Sequence, residues 1–206
     1  GLAEFPKRHD LVLVSDEIHH DLLMPGERHI PMARVDAGIE DRLVMMSATT
    51  KTFNMAGSHI GNVITPDAAL RKRFGDVMAG LGMSPNSFGM VTATAAYSPE
   101  GAAWVDELWA YLDGNRQLFD EGVNAIPGVT SMPMQATYLA WVDFAGTGMS
   151  PEEFTRRVEK EARIAVNHGN TFGSGGESFL RFNYATPRAR VAEAVSRLQE
   201  AFADLQ

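Results

Sequence analysis

Two short, unbroken apolar runs, Leu11–Val14 and Leu43–Met46, constrain this chain more than anything else in it. Four branched or long apolar residues with no polar alternation are the pattern of a strand covered on both faces, as in an α/β sheet. Each run opens into a polar segment. Ser15-Asp16-Glu17-Ile18-His19 follows the first, and Ser47-Ala48-Thr49-Thr50-Lys51-Thr52-Phe53-Asn54 follows the second. In a parallel sheet, ligands bind beyond the carboxyl ends of the strands. A carboxylate and an amine delivered from neighbouring strand ends can grip opposite sides of one flat, charged ligand.

The rest of the chain supports a mixed architecture. Ile60–Ile64 is a third, weaker strand candidate. Between Pro66 and Gly82, Leu70, Phe74, Val77 and Leu81 recur at spacings of three and four, which predicts a helix. A longer helix is predicted over Pro99–Phe119, with Val105, Leu108, Leu112 and Phe119 on one stripe. After Pro127-Gly128 the texture changes. Tyr138–Val142, Ile164–Asn167 and Phe179–Asn183 read as strands. Ser150-Pro151-Glu152-Glu153 is a capping box with proline at the first helical position. Val191, Val195, Leu198, Phe202 and Leu205 mark a last helix opened by Thr186-Pro187. The expected organisation is a partial large α/β domain over residues 1–98, a linking helix over 99–127, and a small α+β domain over 128–206. Residues 1–10 read as the end of a helix or a connector rather than the start of a domain.

Composition removes several classes. At 206 residues and 45% apolar, the chain can bury a real core. Its net charge of −8 argues against nucleic acid and anionic membranes as principal partners. The absence of cysteine excludes disulfides and thiolate metal sites. No apolar stretch approaches the roughly 20 residues of a bilayer span, and the expected setting is cytoplasmic.

Individual residues narrow the chemistry. Lys51 follows an apolar run and three small residues; partial burial there would lower its pKa and free the amine as a nucleophile, although a surface lysine in a strand-to-loop turn fits the same letters. Asp16, two residues past Val14, can hold a pyridine nitrogen protonated or merely cap a helix beginning at Glu17. His19 comes three residues after Asp16, so on one helical turn both can face the same ligand. His19, His20, Asp21 and His29 invite a metal, but no convincing ligand spacing is present. Arg181 is a charge within an otherwise apolar strand, suited to a carboxylate or to an edge position facing solvent or an internal Glu. The glycine-rich stretch from Gly169 to Gly176 matches no phosphate-binding pattern.

Taken together, Asp16-Glu17-Ile18-His19, His29-Ile30-Pro31, Lys51-Thr52-Phe53-Asn54, Thr137-Tyr138-Leu139-Ala140-Trp141 and Arg181-Phe182-Asn183 resemble the fold-type I pyridoxal-phosphate enzymes of the class I/II aminotransferase family. More narrowly, they resemble its cystathionine β-lyase-like, C–S lyase branch. The resemblance implies the C-terminal part of a large cofactor-binding domain followed by a small α+β domain, with an N-terminal portion missing. It implies pyridoxal 5'-phosphate as cofactor and an amino acid as substrate. Lys51 would bond the cofactor and later move protons at the substrate Cα, and Asp16 would pair with the ring nitrogen. His19 would lie by the ring, Thr50 and His59 near the phosphate, and Arg181 on the substrate carboxylate. His59 stands where the family often has arginine or lysine, and Ala48 replaces a usual small hydroxyl or glycine. β-Elimination is the implied reaction; transamination and a non-catalytic, regulatory or degenerate domain are the alternatives. The complete protein is expected to be a homodimer, and this chain alone to bind cofactor poorly and turn over little.

Overall fold

A computed structural model of the chain describes residues 3–205. Gly1 and Leu2, the start of the connector expected over residues 1–10, and Gln206, the end of the domain expected from 128, lie outside the described residues. The chain divides into two compact units, up to Glu107 and from Leu108.

The first unit begins with a single helical segment, α1 (Glu4–Arg8), and then β1 (Leu13–Asp16). A short α2 (Met32–Val35) and a 3-10 turn (Ala37–Arg42) lead into β2 (Leu43–Ser47). The one-turn helix α3 (Thr49–Thr52) follows directly, and β3 (Asn62–Ile64) comes next. The sheet order is β1-β2-β3. β1 and β2 are parallel, with Leu13 opposite Leu43 and Asp16 opposite Met46; β3 returns antiparallel, with Asn62 opposite Ser47. Ile39, Leu43 and Met45 form a small core under one face, joined by Ala3.

The expectation that both apolar runs are covered on both faces fails for the first. Strand β1 starts two residues later than its apolar run, and Leu11, Val12 and Val14 are exposed. Leu13 packs against the core while Val14 and Asp16 face outward, because successive strand residues point to opposite faces. Nothing among the described residues covers that outer face.

Three helices complete the first unit's sequence. The predicted helix over Pro66–Gly82 is α4 (Ala68–Gly80), capped by the Asp67 carboxylate, which accepts from Leu70 N at 2.7 Å. Its stripe is present but lies open, with Phe74, Val77 and Leu81 all exposed. Helix α5 (Ser87–Ala96) carries no apolar stripe in its sequence; it is started instead by Asn86, whose side chain accepts from Gly89 N at 2.7 Å. The long helix α6 (Pro99–Asn124) outruns its expected end at Phe119 by five residues, and the division between units falls inside it.

The second unit is an antiparallel sheet with order β4-β5-β7-β6, built from β4 (Thr130–Ser131), β5 (Leu139–Asp143), β6 (Asn167–His168) and β7 (Phe179–Asn183). Strict alternation in β5 and β7 buries Ala140, Val142, Leu180 and Phe182 on one face. Against the unit's core lie α7 (Pro151–Arg156) and α8 (Arg188–Ala201), with Val191, Val195, Leu198 and Phe202 buried as their spacing predicts. Each such side chain contributes about 1.5–3 kcal/mol. Phe144 stacks on Phe154 at 4.9 Å and meets Phe202 at 5.7 Å, closing the core. Ser150 caps α7 by accepting from Glu153 N, with Pro151 in the first turn, but the Glu153 carboxylate accepts from Arg156 and Arg157 instead of completing the expected capping box. No helix among the described residues is long and apolar enough to cross a membrane.

Candidate active site

The parallel pairing of β1 and β2 puts their carboxyl ends side by side, and the start of antiparallel β3 lies at the same end of the sheet. Asp16 is the last residue of β1 and is exposed. Its Oδ1 accepts from Ile18 N at 3.2 Å. That bond shapes a turn over Ile18–Asp21 rather than the helix that the spacing allowed, so His19 reaches the strand end from a turn. The His19 carbonyl accepts from Leu22 N at 2.9 Å.

Thr50 and Lys51 sit half-buried on α3, three and four residues past Ser47, the last residue of β2. One turn of helix cannot hold itself, and its C-terminal end explains why it persists. Met55 N donates to Thr50 O at 2.8 Å and Asn54 N to Lys51 O at 3.4 Å, the paired bonds of a Schellman motif. That motif needs a left-handed residue at its centre. Asn54 has φ 52°, and asparagine is among the few side chains that tolerate it. Among the described residues, no hydrogen bond or ion pair engages Lys51 Nζ.

The turn after β1 and the lysine helix are also tied to one another. Thr52, 2% exposed, donates from Oγ1 to Asp21 Oδ2 at 3.1 Å. Glu17 anchors the other side of the turn. Its carboxylate accepts from His29 Nε2 at 2.7 Å, Met32 N at 2.9 Å and Ser15 Oγ at 2.9 Å, while its own N–H donates to Met46 O at 2.8 Å. Burial alone would push the Glu17 carboxyl up, but these donors and the nearby His29 outweigh it and hold it below its ordinary value. The residues once open to a metal are thus engaged: His29 with Glu17, and His20 with Asp21 at 3.2 Å. No cluster of three or more His, Cys, Asp or Glu among the described residues is arranged to hold a metal ion.

His59 follows a 3-10 turn (Ala56–Ser58), is exposed, and takes φ 45°. Its loop is held from α5. Asn86 Nδ2 donates to Ser58 O at 2.6 Å, and a Cβ on Gly89 would sit 2.8 Å from that oxygen, so only glycine permits the approach. Sequence patterning missed Glu17, Asp21, Thr52, Asn86 and Gly89 as supports. The one available signal was a carboxylate directly after Asp16, which on a strand must point the other way.

Arg181 belongs to the second unit, in the middle of β7 opposite Trp141. Its Nη2 donates to Asn167 Oδ1 at 3.0 Å. The structure therefore gathers Asp16, His19, Thr50, Lys51 and His59 at one end of the first sheet and places Arg181 on the second sheet. The cleft of about 340 Å³ between α7 and β7, lined by Phe154, His168 and Phe179, contains none of them. Chemically, the first group offers an exposed carboxylate and an uncommitted primary amine from adjacent strand ends.

The family model for aminotransferase class I and II matches residues 1–198. Cystathionine beta-lyase PatB of Bacillus subtilis is 34% identical over 202 residues, which are 97% of this chain and 52% of PatB. An aspartate aminotransferase of Pyrococcus abyssi is 29% identical over 201 residues, 97% of this chain and 51% of the relative. Among solved structures, cystalysin of Treponema denticola, which contains a pyridoxal 5'-phosphate cofactor, superposes with a TM-score of 0.92 at 31% identity, covering 100% of this chain and 52% of cystalysin. The chain spans about half the length of the curated relatives it matches.

Proposed function

This chain belongs to the aminotransferase class I and II family, and on that footing we propose that it serves a pyridoxal-phosphate-dependent C–S β-lyase acting on amino acids. The donor set fits the cofactor. Asp16 offers a carboxylate committed to a single weak backbone bond, Lys51 an unpaired amine, and Thr49 a hydroxyl that is buried without a hydrogen-bond partner. Pyridoxal phosphate, when bound, supplies a ring that delocalises the negative charge developing at the substrate Cα.

The chain's own residues do the rest. Asp16 would pair with the ring nitrogen by charge and hydrogen bonding. Lys51 would be the residue that holds the cofactor, and its freed amine would be the base for the Cα proton. Arg181 would offer its planar fork to the substrate α-carboxylate. His19 would lie by the ring, and Thr50 and His59 would serve the phosphate, His59 as a weaker donor than the arginine or lysine often found there. For a substrate whose Cβ bears a sulfur leaving group, the reaction would be β-elimination: the Cα–H and Cβ–S bonds break, the thiolate leaves and takes up a proton as a thiol, and water converts the remaining enamine to pyruvate and ammonia. Without one, transamination would be the outcome, the second reading, which the Pyrococcus relative supports. The lyase reading rests on the 34% identity to PatB. We take the working form to be a cytoplasmic homodimer with this chain's first 98 residues in its cofactor domain, residues 99–127 as the link and 128–206 as the small domain. Turnover by the 206-residue chain alone is expected to be low, because Asp16 is open to water, which weakens electrostatic contacts.

Borohydride reduction in the presence of the cofactor, followed by peptide mapping, tests the site. The reading requires the adduct on Lys51 in preference to Lys7, Lys72 and Lys160. A label spread evenly over all four would overturn it. Pyruvate release from cystathionine by the complete protein then separates lyase from aminotransferase.

A further inference from the structure

Arg181 is held more tightly than a strand arginine needs to be. Nη2 is fixed by Asn167 on the neighbouring β6, directly opposite in register. The guanidinium lies over the ring of Phe172, with Cζ 4.6 Å from the centroid. Phe172 is in turn set edge-on to Trp141 at 5.4 Å and 85°, and Trp141 stacks on Phe179 at 5.1 Å. The informative remainder is Nε. It is buried and has no hydrogen-bond partner among the described residues, a costly state for a charged donor that a ligand acceptor would relieve.

The glycine-rich stretch that matched no phosphate pattern delivers this aromatic. A Cβ on Gly169 would fall 2.1 Å from Gly176 O, and one on Gly176 would fall 2.2 Å from Gly169 O, so the loop is pinched shut at its base. Gly173 at φ 121° and Gly175 at φ 89° let it double back after Phe172.

We propose that Asn167 and Phe172 are positioning residues for Arg181. Asn167 sets the rotation of the fork, Phe172 sets its plane and keeps water from one face, and Nε is left for a ligand carboxylate. The proposal rests on Arg181 being the carboxylate anchor, and its test separates the two. The ¹⁵N-labelled 206-residue chain is titrated with sodium propionate, with propionamide as the uncharged control. The Arg181 Nε–H signal, identified by its loss in Arg181→Lys, should move with propionate and not with propionamide. Asn167→Ala and Phe172→Leu should each weaken propionate binding by about fivefold or more, and Phe172→Tyr should restore it. Asn167→Asp, which gives the guanidinium an internal carboxylate, should weaken it further and serves if Asn167→Ala fails to fold. A moving signal with unchanged affinity in these variants overturns the positioning roles and leaves the anchor. A signal that propionate never moves overturns both.

Discussion

Asn54 shows how a single residue secures the candidate lysine. Its left-handed backbone closes the Schellman motif that ends α3. Asn54→Gly should be neutral within a few tenths of a kcal/mol, whereas Asn54→Val should cost about 1–2 kcal/mol, as read from urea midpoints. Glu17 is the second such residue. Its folded carboxyl lies below its ordinary value, so the stability it contributes is present above the unfolded pKa and is lost as pH falls through the folded one. The urea midpoint should therefore drop on acidification through the carboxylate range, and Glu17→Gln, already destabilised at neutral pH, should show a shallower drop. An equally steep profile in the variant would remove Glu17 from this role.

At the scale of elements, burial decides which stripes matter. Leu198→Ala in α8 removes a core side chain and should cost about 2–5 kcal/mol. Val77→Ala in α4 should cost no more than about 0.5 kcal/mol, because that stripe is exposed. Ser150→Ala should cost about 1 kcal/mol through the lost cap of α7. Calorimetric melting of the three variants ranks them. Periodicity made α4, α6 and α8 legible, and the capping box made α7 so. Phe179–Asn183 was legible as an apolar strand interrupted by one charge, and its alternating burial emerged only in the structure. Helix α5 was not, since glycine, threonine and alanine give no stripe and its start depends on a side-chain cap. The two-residue strands Thr130–Ser131 and Asn167–His168 were invisible or misplaced for a similar reason: pairing partners fix them, not pattern. At the site, Asp16 and Lys51 were legible as polar residues ending apolar runs. The bond that ties their segments together, Thr52 to Asp21, and the one that anchors the turn, Glu17 to His29, connect residues 31 and 12 apart and leave no local signature.

For the whole molecule, the first unit carries apolar surface that its own described residues leave open. Val14, Val63 and Ile64 are exposed on the sheet strands, Phe74, Val77 and Leu81 on α4, and Phe88, Met90 and Val91 on α5. Patches beyond a few hundred Å² bind partners or dyes. The chain should enhance the fluorescence of 1-anilinonaphthalene-8-sulfonate while keeping a cooperative melt; a native chain that leaves the dye dark would mean this surface is covered.

The alternation in β7 also carries a consequence for folding fidelity. Arg181 lies between Leu180 and Phe182, which fill the core, and it pairs with Trp141 on the opposite face. Sliding β7 by one residue along β5 would exchange these faces and drive a guanidinium into the apolar layer, at a cost of several kcal/mol. A residue proposed to recognise substrate would thus also disfavour a shifted pairing of β5 and β7.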